Sequence, residues 1–152
     1  MTGQQEQSSF PTTPAGGHMQ HHRSNEAPSP GGPYSHAVSA AGLVFLSGQR
    51  PQSPTDGEIP DGVVAQARQV LANITSVLAT CGCTLADVVK VQVYLADLRD
   101  FDRFNEVYQE FFQPPYPART TVGSALRGIL VEIDVVSALP APATPRSAPP
   151  TH

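Results

Sequence analysis

From residue 34 onward the apolar positions change period along the chain, from every second residue to every third or fourth and back. Residues 35–40 and 43–49 form two short apolar stretches broken at Ala41 and Gly42, the pattern of a β-hairpin. Residues 50–62 carry three prolines, Gly57 and an Asp-Gly pair, which predict a loop with a short extended piece near Glu58 and Ile59. After Asp61, a candidate N-cap, apolar residues at 63, 67, 70, 71, 74, 77 and 78 mark one face of a helix, which Gly82 can end in the left-handed conformation. Val89, Val91, Val93 and Leu95 then alternate with Lys90, Gln92 and Tyr94, predicting a strand with one apolar and one mixed face. Asp100 can cap a second helix striped by Phe101, Phe104, Tyr108, Phe111 and Phe112, halted by Pro114 and Pro115; core packing is the reading for that stripe. Residues 118–124 and 129–138 read as two strands joined at Leu126, Arg127 and Gly128. In the second of these, Val131, Ile133 and Val135 share one face and Glu132 and Asp134 the other. Two helices covering one face of a single sheet make an α+β domain. The other face, with Lys90, Gln92, Tyr94, Glu132 and Asp134 among Leu130 and Val136, suits a wet interface between subunits.

Composition sets the limits of that domain. Ten of the 16 prolines lie in residues 1–33 and 140–152. These ends are poor in apolar periodicity, so the expectation is a folded unit over 33–139 between two disordered tails, 1–32 and 140–152. On that premise His18, His21 and His22 lack the fixed geometry a metal needs. Cys81 and Cys83 lack the further ligands of a zinc site and fit a reducing compartment.

Charge narrows the partners. Residues 34–139 hold seven Lys or Arg against eleven Asp or Glu, so the net charge of −4 belongs to the core, and Lys90 is the chain's one lysine. Such a surface repels phosphate backbones and anionic lipid, which argues against nucleic acid and membrane partners. With no long apolar run, the expected setting is the cytoplasm.

The strings PYSHAV, FLSGQ, VVKVQVYLAD, FNEVYQEFF, PYPART and LVEI, in this order and spacing, resemble the Rid family, the reactive intermediate deaminases also called RidA or YjgF proteins. The resemblance implies a chorismate-mutase-like α+β fold, a mixed six-stranded sheet backed by two helices. It further implies a homotrimer whose sheets form a barrel, with sites between subunits. The activity implied is hydrolysis of enamines and imines such as 2-aminoacrylate to a 2-keto acid and ammonia, with no metal and no cofactor. Arg119 matches the family's substrate-carboxylate arginine and Glu132 its conserved glutamate. Tyr34 matches a pocket tyrosine, Ser47 and Gly48 a turn whose backbone approaches the ligand, and Asn105 a helix asparagine of the adjacent subunit. The chemistry agrees with these roles: a guanidinium fork can grip a planar carboxylate in two parallel hydrogen bonds, and a carboxyl group can move protons during water attack.

The sequence departs from the pattern in three places. Thr121 stands where a cysteine is common, supplying a hydroxyl in place of a thiol. The 126–128 connection is short, and His36 is atypical. The readings that follow are a deaminase of small 2-imino acids, a pathway-specific deaminase or hydrolase of a larger substrate, and a non-enzymatic trimeric binder of carboxylate metabolites. RNA cleavage ranks last, since no basic track is evident.

Overall fold

The structure, a computed structural model, describes residues 18–141. Six strands and two long helices follow one another as β1 (Gln20–His22), β2 (Ala37–Ala40), β3 (Leu43–Leu46), α1 (Val63–Thr80), β4 (Val88–Leu95), α2 (Phe101–Phe111), β5 (Ala118–Gly123) and β6 (Val131–Ala138). They form one mixed sheet in the order β1-β2-β3-β6-β4-β5, in which only β4 and β5 run parallel, joined through α2 as a parallel crossover requires. This is the expected α+β architecture of six strands and two helices.

The predicted hairpin is β2 and β3, a little shorter than expected, with Ala40 opposite Leu43. Its two turn residues both take positive φ, 52° at Ala41 and 78° at Gly42, which matches the right-handed twist of the strands. On α1, Val63, Ala67, Val70, Leu71, Ile74, Val77 and Leu78 are all buried, as their spacing requires. The helix closes with Cys83 N–H on the Leu78 carbonyl and Gly82 N–H on that of Ala79, Gly82 being left-handed at φ 75°. Under the helices lie Val44, Leu46, Val91, Val93, Leu95, Val131, Ile133 and Val135, the core side of the sheet. On the opposite side Phe45 remains 46% exposed, near the mixed row of Lys90, Gln92, Tyr94, Glu132 and Asp134.

Several expectations are corrected. Residues 18–32 are part of the fold: β1 pairs with β2, and His36 holds the segment that follows it. Its Nδ1 accepts from Ser24 N–H at 2.9 Å while its Nε2 donates to the Pro28 carbonyl at 2.7 Å, so a buried imidazole supplies the anchorage that an apolar-poor segment lacks. His21 and His22 are therefore strand residues, bonded to the hydroxyls of Ser35 and Ser39. The rest of the two expected tails, 1–17 and 142–152, lies outside the described residues. The N-cap of α1 is Gly62, not Asp61, and it caps with no side chain. For α2, Asp100 holds the N-cap position without a side-chain bond. The acid that caps is Asp97, which accepts from Arg99 N–H at 2.9 Å and starts a short 3₁₀ turn leading into the helix. In β4 a register shift between Val88 and Lys90 turns Val89 out, so Val88 at 7% exposure takes the core place expected of Val89 at 45%.

The 50–62 loop contains no strand near Glu58 and Ile59. Asn73 of α1 secures it instead, donating from Nδ2 to the carbonyls of Arg50 and Gln52, and Gln66 Nε2 donates to that of Pro60. The Gln66 Oε1 accepts from Leu130 N–H at 2.7 Å, which explains why β6 begins at Val131 and not at 129. No described helix is long and apolar enough to cross a membrane.

Candidate functional site

The seven residues singled out from the sequence fall into two groups on opposite faces of the sheet. Arg119 sits on β5 in register with Val91, and Thr121 with Val93, so both project to the helical side. Glu132 sits on β6 opposite Tyr94, whose side chain belongs to the face away from the helices. A single chain therefore does not bring Arg119 and Glu132 together.

The first group is built by α2. Residues 101, 104, 105 and 108 recur at helical spacing, so Phe101, Phe104, Asn105 and Tyr108 present one continuous surface to the edge strand. Arg119 lies on it. One terminal N–H₂ donates to Asn105 Oδ1 at 2.8 Å. The guanidinium carbon is 4.6 Å from the Tyr108 ring centre, 5.6 Å from that of Phe101 and 5.7 Å from that of Phe104. Among the described residues Arg119 pairs with no carboxylate, unlike Arg68 with Glu110 and Arg99 with Asp97. A cleft of about 280 Å³ opens here, lined by Asn105, Tyr108, Gln109, Tyr116, Pro117 and Arg119.

Two hydroxyls in this region, Tyr108 Oη and Thr121 Oγ1, are buried with no hydrogen-bond partner among the described residues. Burial pushes the Tyr108 hydroxyl up to about 12, against the opposing pull of the nearby Arg119 charge, so it stays protonated at neutral pH. The aromatic stripe thus does two things. Phe104, Tyr108 and Phe112 fill the core, as expected, whereas Phe101 stays 38% exposed, and the stripe also makes a bed for a cation, which the core reading of Tyr108 missed. The available signal was its spacing: Tyr108 lies three residues after Asn105, one turn along the same helix face.

The second group surrounds Glu132. Tyr34, Ser47, Gly48 and Glu132 line a cleft of about 280 Å³. Gln49 fixes this wall by exchanging backbone hydrogen bonds with Ile133, its N–H donating at 2.8 Å and its carbonyl accepting at 3.3 Å. The glutamate consequently lies against Gly48, where an added Cβ would collide with Glu132 Oε1 and crowd Cδ at 3.3 Å. Glycine at 48 thus leaves the Glu132 carboxylate the place it occupies, which a side chain there would make it give up. Ser47 is committed locally: its hydroxyl donates to the Ser35 carbonyl at 2.6 Å and its N–H to that of His36 at 3.0 Å, stitching the exit of β3 to the entry of β2. The Tyr34 hydroxyl accepts from Gly31 N–H at 3.0 Å, and its exposed ring overlooks the cleft.

Residues 24–139 match the family described as Endoribonuclease L-PSP. The chain is 41% identical over 115 residues to the 2-iminobutanoate/2-iminopropanoate deaminase of Capra hircus, an alignment covering 74% of this chain and 84% of that protein. Its fold is similar to the crystal structure of RidA from the Antarctic bacterium Psychrobacter sp., with TM-score 0.76, 39% identity and coverage of 79% of this chain and 99% of the other. It is similar also to E. coli TdcF with bound serine, with TM-score 0.75, 36% identity and coverage of 78% and 98%.

Proposed function

The chain belongs to the Rid family, whose members include proteins named as imine deaminases, and from that premise we propose that it hydrolyses small 2-imino acids to 2-keto acids and ammonia. The observation that carries the reading is Arg119: a cation that pairs with no carboxylate among the described residues, seated on aromatic rings, with one terminal N–H₂ held by Asn105. A planar carboxylate conjugated to C=N is the anion that such a fork accepts best. The serine bound to TdcF, itself an α-amino acid, supports the same ligand class.

In the proposed reaction 2-aminoacrylate takes a proton at C3 and becomes 2-iminopropanoate. Water adds to C2, giving up a proton as the C–O bond forms, and nitrogen gains a proton. The C–N bond then breaks as the C2 hydroxyl gives up its proton and becomes the keto oxygen, and ammonia and pyruvate leave. Glu132 is the group proposed to carry the proton from water to nitrogen. Tyr34 and Gly48 wall the space in which that exchange occurs, with Ser47 holding the wall in place, while Thr121 offers a hydroxyl on the Arg119 side. Because Arg119 and Glu132 occupy opposite faces of one sheet, the complete site is proposed to form where two copies meet, the barrel-like homotrimer placing one copy's Arg119 beside its neighbour's Glu132. The exposed Phe45 and mixed row of that face are consistent with such a covering.

An RNA-cleaving role draws no support from charge. The chain carries net charge −4 at a sequence pI near 5.6, and Arg68 and Arg99 are neutralised in pairs.

The test is a coupled assay in which a pyridoxal-phosphate enzyme generates 2-aminoacrylate. Pyruvate release should accelerate over buffer, and Arg119→Ala should abolish the acceleration. Release no faster than in buffer would end the deaminase reading, and a sedimentation mass of one chain at micromolar concentration would end the shared-site reading.

A further inference from the structure

Tyr108 is 5% exposed, and its ring stacks on Phe112 with centroids 4.5 Å apart and planes 25° apart, and tilts against Phe104 at 5.9 Å. Three contacts therefore immobilise that ring before any ligand arrives, two from the core and one from the guanidinium of Arg119 at 4.6 Å. An arginine on an edge strand would ordinarily sample many rotamers, and ordering it on ligand binding weakens binding. Here the fork is placed in advance: the ring lies 4.6 Å from the guanidinium carbon and Asn105 holds one terminal N–H₂ at 2.8 Å.

We propose that Tyr108 is a positioning residue for the carboxylate site, acting through the face of its ring by holding the Arg119 guanidinium in the orientation that receives the ligand. The inference rests on the deaminase reading and adds to it. Affinity for the carboxylate is set by the aromatic bed as well as by the cation. The Tyr108 hydroxyl, buried without a partner among the described residues, has no part in this role. An aromatic ring of any kind at 108 should serve, and an aliphatic side chain of similar bulk should not.

The experiment compares Tyr108→Phe with Tyr108→Leu in the full chain. Three measurements are made on each: pyruvate binding by calorimetry, steady-state turnover, and the side-chain Nε–H resonance of Arg119, which a ring face shifts. Tyr108→Phe should keep the resonance and bind pyruvate within twofold of the parent. Tyr108→Leu should lose the ring shift and raise both Kd and KM about tenfold, with kcat changed less than threefold. A structural defect alone would lower kcat and the folded fraction together without that split.

Tyr108→Leu binding as the parent does, or Tyr108→Phe failing as badly as Tyr108→Leu, would overturn the proposal. If Tyr108→Leu does not fold, Phe101→Leu removes a second ring of the bed that is 38% exposed and outside the buried core. It should raise KM about threefold, and no change would overturn the proposal. Should Arg119→Ala leave pyruvate binding and turnover intact, the deaminase reading fails, while the resonance still reports whether ring and guanidinium are engaged.

Discussion

Replacing Gly48 with alanine tests the closest packing around the candidate site. The new Cβ would overlap Glu132 Oε1 and stand 3.3 Å from Cδ and 3.4 Å from Cγ, so the carboxylate must retreat by about 1 Å to restore an ordinary carbon–oxygen contact. Every obstructing atom belongs to the outer part of one flexible side chain, so the backbone need not move. Gly48 also has no positive φ, so alanine at that position gains a few tenths of a kcal/mol from the unfolded chain, about 0.4–1 kcal/mol where conformation permits. Stability should therefore stay within about 1 kcal/mol of the parent in urea denaturation. Catalysis should not, because about 1 Å of misplacement in a reacting group can cost about 100-fold. The expected result is a fall in kcat of about 10- to 100-fold, or about 1.4–2.7 kcal/mol of barrier, with little change in KM, since Arg119 is untouched. Gly42→Ala provides the opposite signature. Its φ of 78° strains any side chain, but no atom of the described residues lies within 4 Å of an added Cβ, so it should lose about 1 kcal/mol of stability and keep kcat. A Gly48→Ala enzyme with kcat within twofold of the parent would refute the reasoning, for it would mean that the position of the Glu132 carboxylate does not matter to turnover.

Arg119→Lys should raise KM for 2-imino acids at least tenfold in the coupled assay, because an ammonium keeps the charge but loses the planar fork. Leu71→Ala, at a fully buried position of α1, should cost about 2–5 kcal/mol by urea denaturation. Burial holds the Asp134 carboxyl above its ordinary 3.8, with the Tyr94 hydroxyl opposing, so the folded chain binds that proton more tightly than the unfolded chain does. Stability contributed at this site is thus lost as pH rises from 3.8 through the raised value; Asp134→Asn should melt higher than the parent at pH 7, and the difference should vanish toward pH 3. Burial, with Cys83 adding, pushes the Cys81 thiol up to about 11, so a disulfide-exchange reagent at pH 8 should leave Cys81 unreacted until denaturant is added.

The elements readable from sequence were those whose signal is local. The helix face of α1 is written at 63, 67, 70, 71, 74, 77 and 78, and a turn of two left-handed residues is written at Ala41 and Gly42. What failed depends on partners far away in the chain. Val89 alternates correctly with Val91, but pairing with β6 shifts register and gives its place to Val88. Residues 18–32 look incapable of ordering themselves, and they are ordered by a histidine and a strand edge that come later. The candidate site divides along the same line. Five of the six strings hold six of its seven residues, yet the Ser47 hydroxyl is engaged with a backbone carbonyl, and Tyr108 looked like core because only its three-dimensional neighbour, Arg119, reveals a second use.

Strand pairing here bears on inheritance as well as chemistry. β5 sends Arg119 to one side and β6 sends Glu132 to the other, so in the proposed shared site the two groups would come from different copies. A chain lacking Arg119 and a chain lacking Glu132 would each be inactive alone. Mixed in equal amounts, they would rebuild whole junctions wherever the first supplies Glu132 and the second Arg119, about one junction in four under random assembly. Two such lesions would behave as complementing alleles, so selection would act on the pooled halves of the assembly and not on each chain by itself.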